Sequence, residues 1–160
     1  MELKPGLNIL NIELTPKPPK LEDLDFTLLK HVAESIKVFD MHRKDKLLTV
    51  LNFLYDALAA TTAVQSYLTI NGALDYLASG VGRGARMGES YEKMIDRFVE
   101  VGVLDSAEDY RGRLHKFHEG HYTVMRHNEV SHSQLDDIKV FFKEFLMQYI
   151  KYEKVMMTRI

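Results

Sequence analysis

Leu135, Ile138, Phe141, Phe142, Phe145, Leu146 and Tyr149 recur at three- and four-residue spacings. That period lays them down one side of an α-helix, a stripe that other elements have to cover. The same period runs through most of the chain upstream. Residues 22–40 predict one amphipathic helix, and residues 44–70 predict a longer one, apolar nearly all round and therefore central. Asn71-Gly72 is expected to stop it. Ser90 reads as the N-cap of a helix with Tyr91, Met94, Ile95, Phe98 and Val99 inside, ended by Gly102. Ser106, with Asp109 three residues on, opens the next, which Gly112 and Gly120 each weaken by about 1 kcal/mol relative to Ala. Ser133, with Asp136 at the third position, opens the last. The fold class that follows is all-α, an up-and-down bundle of about five helices.

The N-terminal stretch reads differently. Leu10, Ile12 and Leu14 fall on one side of a loosely alternating segment, which predicts a short strand or extended arm. Thr15-Pro16-Lys17-Pro18-Pro19 holds the backbone extended and makes a stiff linker. The expected organisation is an arm and Pro-rich linker over residues 1–20 and a helical bundle over residues 21–160. The arm either packs on the body or reaches a partner subunit.

Length and charge narrow the class. A chain of 160 residues fits one domain and buries roughly 70% of its unfolded surface, enough to fold without a disulfide or a structural metal. It contains no cysteine, which excludes a disulfide framework and thiolate ligands and fits a reducing compartment. Residues 1–11 lack a basic start followed by an apolar run, so no secretory signal is expected there. The most hydrophobic stretch, residues 47–70, carries Asn52, Asp56 and Gln65, a poor composition for a membrane span. The expectation is a cytoplasmic protein with no membrane partner and no cofactor. Net charge is -2, so the whole surface is no trap for nucleic acid. Residues 139–160 lean basic, with Lys139, Lys143, Lys151, Lys154 and Arg159 against Glu144 and Glu153.

The densest run of chemically able groups is Arg126-His127-Asn128-Glu129-Val130-Ser131-His132. Arginine stays charged and can hold two phosphate oxygens at once, and histidine changes charge near neutrality and so can move protons. The pair suits phosphodiester cleavage. On an uninterrupted helix the two side chains would lie roughly 120° apart around the axis and converge only loosely. Two copies of the segment facing each other across a two-fold axis would solve that geometry.

An Arg, a polar residue, a short spacer and a His at the entry to the final helix of a small bundle resemble the HEPN superfamily (higher eukaryotes and prokaryotes nucleotide-binding domains). Its motif is Arg, four to six residues, His, commonly with Asn, Asp or His after the Arg. Here Arg126 and His132 have five residues between them, and His127 follows the Arg. Phe98-Val99-Glu100-Val101-Gly102-Val103-Leu104-Asp105 and the polar helix after it are similar to the stretch before the motif in many members. The resemblance covers roughly residues 25–155. It implies a metal-independent endoribonuclease working as a homodimer, with RNA as substrate, a toxin or antiviral-defence role and an antitoxin or regulatory partner. It assigns Arg126 to the scissile phosphate and His132 to general acid or base chemistry. Asn128 would orient either group, and His127 would contact RNA. Members paired with minimal nucleotidyltransferases usually have Tyr two residues after the His. That position is Gln134, so membership of that subclass is not implied.

Two other readings stand beside this one. A noncatalytic dimerisation or RNA-binding module of the same fold would use its apolar helix face and the Pro-linked arm for assembly. A His-rich metal-binding protein would use His115 and His118, one turn apart, and Glu129-x-x-His132, a spacing found in bundle metal sites. The glycine-rich stretch from Gly80 to Gly88 lacks the Walker ending and reads as a connection, with Arg83 and Arg86 available for RNA phosphates.

Overall fold

The computed structural model describes residues 26–78 and 87–159, and among them all regular structure is helical. Among the described residues there are six helices, α1 (Phe26–Val38), α2 (Met41–Ala59), α3 (Ala63–Ala78), α4 (Met87–Glu100), α5 (Glu108–His127) and α6 (His132–Thr158). The all-α bundle is what the period predicts. The expected arm and linker, together with Arg83 and Arg86, lie outside the described residues.

Helix α6 supplies most of the core. Phe141, Phe142, Phe145, Leu146 and Ile138 are fully buried, and Tyr149 almost so. The rings form a chain across the bundle: Phe98 of α4 lies 5.6 Å from Phe145, Phe145 lies 5.8 Å from Phe141, and Phe141 lies 5.0 Å from Phe117 of α5. Such tilted pairs each contribute about 0.5–1.5 kcal/mol beyond the area they remove from water.

Where the sequence predicts one helix over residues 44–70, there are two. Ala60 adopts an extended conformation (φ -61°, ψ 139°), ending α2. Thr62 then caps α3, its Oγ1 accepting from the Gln65 amide at 3.1 Å. A threonine that can satisfy an orphan amide favours a fresh start over continuing the old helix. The expected stop at Asn71-Gly72 is also corrected, because α3 runs on to Ala78. Asn71 is buried, and its Nδ2 donates to the Tyr67 carbonyl at 3.4 Å, so the amide that would have favoured a turn is used inside the helix. Gly72 packs beside Phe53 without crowding.

The central helix is therefore α3, which touches α2, α4, α5 and α6. It buries Tyr67, Ile70, Ala73, Leu74 and Leu77, whereas α2 buries only Leu47, Val50 and Ala57 and leaves Leu48 and Tyr55 exposed. Asp40 caps α2 by accepting from the Arg43 amide at 2.9 Å. The Arg43 guanidinium bonds both Asp40 and Glu153, tying α2 to α6. Lys46 reaches from α2 to the last turn of α3, donating to the Leu77 carbonyl at 3.0 Å, where a cation opposes the helix dipole.

Helix α4 begins at Met87, three residues before the expected cap at Ser90. It ends as predicted near Gly102, whose φ of 76° lets Val103 donate to the Phe98 carbonyl at 2.8 Å. No helix among the described residues is long and apolar enough to cross a membrane.

Candidate functional site

Helices α5 and α6 form an antiparallel hairpin. Arg113 pairs with Glu144 (2.7 Å) and Lys116 with Asp137 (3.7 Å), while Phe117 and Tyr110 pack on Phe141. Its closed end is the segment from Arg126 to His132, so the sequence motif becomes a tip rather than a stretch of helix. The reversal begins at Asn128, in the left-handed region (φ 52°, ψ 37°), whose amide donates to the Val124 carbonyl at 2.8 Å. Asparagine is one of the few residues that adopts this conformation cheaply. Its backbone therefore shapes the tip, whatever its side chain does.

The last helix starts two residues earlier than the Ser133 reading predicts. Ser131 is the N-cap: its hydroxyl accepts from the Gln134 amide at 3.1 Å, and the Gln134 side chain accepts from the Ser131 amide at 2.9 Å. Gln satisfies a second orphan donor that Asp136 is placed too late to reach, so the reciprocal box at 131–134 prevails. His132 is thereby fixed as the first residue of α6. Val130 just before the cap and Leu135 just after the first turn both pack toward the core and hold the tip down.

Arg126, His127, Asn128 and His132 are all exposed. Among the described residues no hydrogen bond or ion pair engages the side chains of Arg126, His127 or His132, and Arg126 does not pair with Glu129. Arg126 and His127 occupy the last turn of α5, where cations oppose the helix dipole. His132 opens α6, where the amides of His132 and Ser133 have no intrahelical acceptor. Arg126 and His132 thus flank the same interhelical turn, and a guanidinium and the free amides of a helix N-terminus are each groups that can contact a phosphate.

The metal reading loses its geometry. Glu129 lies in the junction outside either helix, so Glu129 and His132 are not one turn apart on a helix. His115 Nε2 lies 3.1 Å from the Glu119 carboxylate one turn on, and His118 and His121 both pack against the Tyr122 ring. Among the described residues no group of three or more His, Asp or Glu side chains is placed to hold a metal ion.

Two polar clusters escape the sequence reading. In the first, Tyr91 of α4 donates to Asp75 of α3, and His118 and His121 of α5 act electrostatically on the same carboxylate. Burial raises the Asp75 carboxyl above its ordinary value despite these partners, and it raises the Tyr91 phenol far above its own. His121 Nδ1 is buried with no hydrogen-bond partner among the described residues. A cavity of about 70 Å³ adjoins the cluster, lined by Tyr91, Glu92, Ile95, Arg111, His115 and His118 among others. The second surrounds a space of about 280 Å³ bounded by Asp40, His42, Arg43, Lys46, Tyr149 and Glu153. Lys46 Nζ lies 5.3 Å from the Tyr149 ring, and burial lowers its ammonium below the ordinary value. Arg43 bonded to two carboxylates leaves this cluster near neutral, so it reads as a clamp between α2, α3 and α6. Neither space includes Arg126 or His132.

No protein-family model, characterised protein or solved structure matches the chain.

Proposed function

We propose that this protein is a HEPN-like endoribonuclease that acts without a metal, as a homodimer whose two hairpin tips meet around one RNA phosphate. The observation that carries the reading is the state of the tip: Arg126 and His132 are exposed at the same end of one hairpin, free of internal partners among the described residues. Arg126 binds the non-bridging oxygens of the scissile phosphate and offsets the charge that grows on them. His132 transfers the proton. As base it takes the proton of the ribose 2′-hydroxyl while that oxygen attacks phosphorus; as acid it protonates the departing 5′-oxygen. The bond formed is 2′-O–P, the bond broken is P–O5′, and the products are a 2′,3′-cyclic phosphate and a 5′-hydroxyl. Asn128 orients either group, and His127 contacts the flanking backbone. A toxin or defence role, and an antitoxin that covers the tip, belong to the same reading.

Incubating the protein with a mixed single-stranded RNA in excess chelator tests this. The expected result is cleavage that leaves cyclic-phosphate ends and a dimer in light scattering. A dimer with no turnover would favour the second reading, a noncatalytic module of the same fold. That reading draws on Met41, Leu48 and Tyr55, exposed large apolar residues at seven-residue spacing on α2, a stripe suited to another helix.

A further inference from the structure

On α5, Tyr122 precedes Arg126 by four residues and Met125 stands next to it, so the three share one face of the helix within about 6 Å of rise. Tyr122 is 59% exposed and Met125 is 62% exposed, although residues of this size ordinarily turn inward. The Tyr122 ring has two neighbours. The His118 ring lies 5.3 Å from the Tyr122 ring at 89°, and the His121 ring lies 5.6 Å away at 83°. Two near-perpendicular imidazoles brace the phenol, so little rotamer freedom is left to lose when something lies against it.

A flat, braced and exposed ring one turn from an arginine with no internal partner among the described residues is the pattern of a single-strand contact, in which a base stacks on the aromatic while a cation holds the phosphate. The separation along the helix is comparable to the reach from a phosphate to the base of its own nucleotide. We infer that Tyr122 is the stacking platform for the unpaired base next to the phosphate held by Arg126, with Met125 closing the edge of that base. The inference rests on the ribonuclease reading of the tip and adds to it a residue that requires the substrate to be single-stranded there. A base paired in a duplex presents no free face to Tyr122. Stacking is tolerant of base identity, so the platform selects for an unstacked nucleotide rather than for a sequence.

The test uses full-length protein carrying His132→Ala, so that bound RNA is not cut, and a fluorescein-labelled single-stranded RNA of mixed sequence read by anisotropy at low salt. Tyr122→Ala is expected to weaken binding about 5- to 100-fold, the loss of one stacked base, and Tyr122→Phe to keep binding within about twofold. In protein with His132 intact, Tyr122→Ala is expected to raise KM more than it lowers kcat. If Arg126→Ala weakens binding and Tyr122→Ala does not, the platform is refuted and the ribonuclease reading stands. If the RNA does not bind, or binds equally to the Arg126→Ala protein, the reading of the tip falls and the platform with it. If Tyr122→Ala instead converts a dimer to a monomer in light scattering, the ring belongs to a subunit contact and the inference is overturned.

Discussion

Two glycines in the same helix are expected to respond oppositely to the same substitution. Gly112 and Gly120 both lie inside α5. A methyl group built at Gly112 meets nothing within 4 Å, so Gly112→Ala collects only the helix preference of alanine, about 0.8–1 kcal/mol. For a chain of this length that raises Tm by about 2–4 °C. At Gly120 the same methyl would lie 2.5 Å from the Tyr67 hydroxyl oxygen. Real side chains essentially never approach closer than 3.0 Å there, so something has to move by about 0.5 Å. Tyr67 is a rigid ring, 3% exposed, in the central helix, and forced overpacking of this kind costs about 1–3 kcal/mol. The net for Gly120→Ala is a loss of roughly 0–2 kcal/mol after the helix gain is counted. The next nearest atom, Tyr67 Cζ, lies at an ordinary 3.6 Å, so Tyr67→Phe should remove the clash. Urea denaturation of the four proteins of this cycle measures the coupling, expected at about 1 kcal/mol or more in favour of the double variant. Gly120→Ala stabilising as much as Gly112→Ala, with no coupling to Tyr67, would refute the close packing of α3 on α5.

Ser131→Ala removes the hydroxyl that accepts from Gln134 and is expected to cost about 1 kcal/mol, read as a lower denaturation midpoint with unchanged m-value. The same variant loosens the first turn of α6, so RNA cleavage should fall although Arg126 and His132 are both present. Asp75→Asn keeps an oxygen acceptor for Tyr91 and removes a half-buried charge. The folded carboxyl titrates above its ordinary 3.8, so the native state binds more protons than the unfolded chain just above that pH, and its stability falls as pH rises through the window. The Asn variant lacks this loss. Its stability relative to wild type should therefore increase from pH 3.5 to pH 7, whereas a difference that shrinks over that range would show that Tyr91, His118 and His121 more than offset the burial.

What the sequence discloses follows from which forces act locally. The stripe from Leu135 to Tyr149 is legible because one long helix places every apolar residue against the core, and all seven are buried. The Gly102 stop is legible because a left-handed residue at a helix end leaves few choices. The break before Thr62 and the passage through Asn71-Gly72 are not, since in both cases a polar side chain chooses between two local partners and the packing of α3 decides. Ser131 and Ser133 offer competing caps, and only the reach of Gln134 separates them. In the candidate site, Arg126 and His132 are visible as a motif because they are close in sequence. Asp75 with Tyr91 depends on a contact between two helices that no spacing rule isolates, whereas His118, Tyr122 and Arg126 follow the four-residue spacing of one helix face, a pattern too common in helices to single them out. A lone acid in the apolar run of α3 is the one signal that could have drawn attention to Asp75.

Cleavage of single-stranded RNA in excess chelator by wild type, Arg126→Ala and His132→Ala tests the account at its centre, with thermal denaturation run alongside because both residues are exposed and neither substitution should shift Tm. Each substitution alone is expected to lower the cleavage rate by about 100-fold or more while the proteins stay folded. Cleavage at an unchanged rate in both variants would rule out the hairpin tip as the catalytic site.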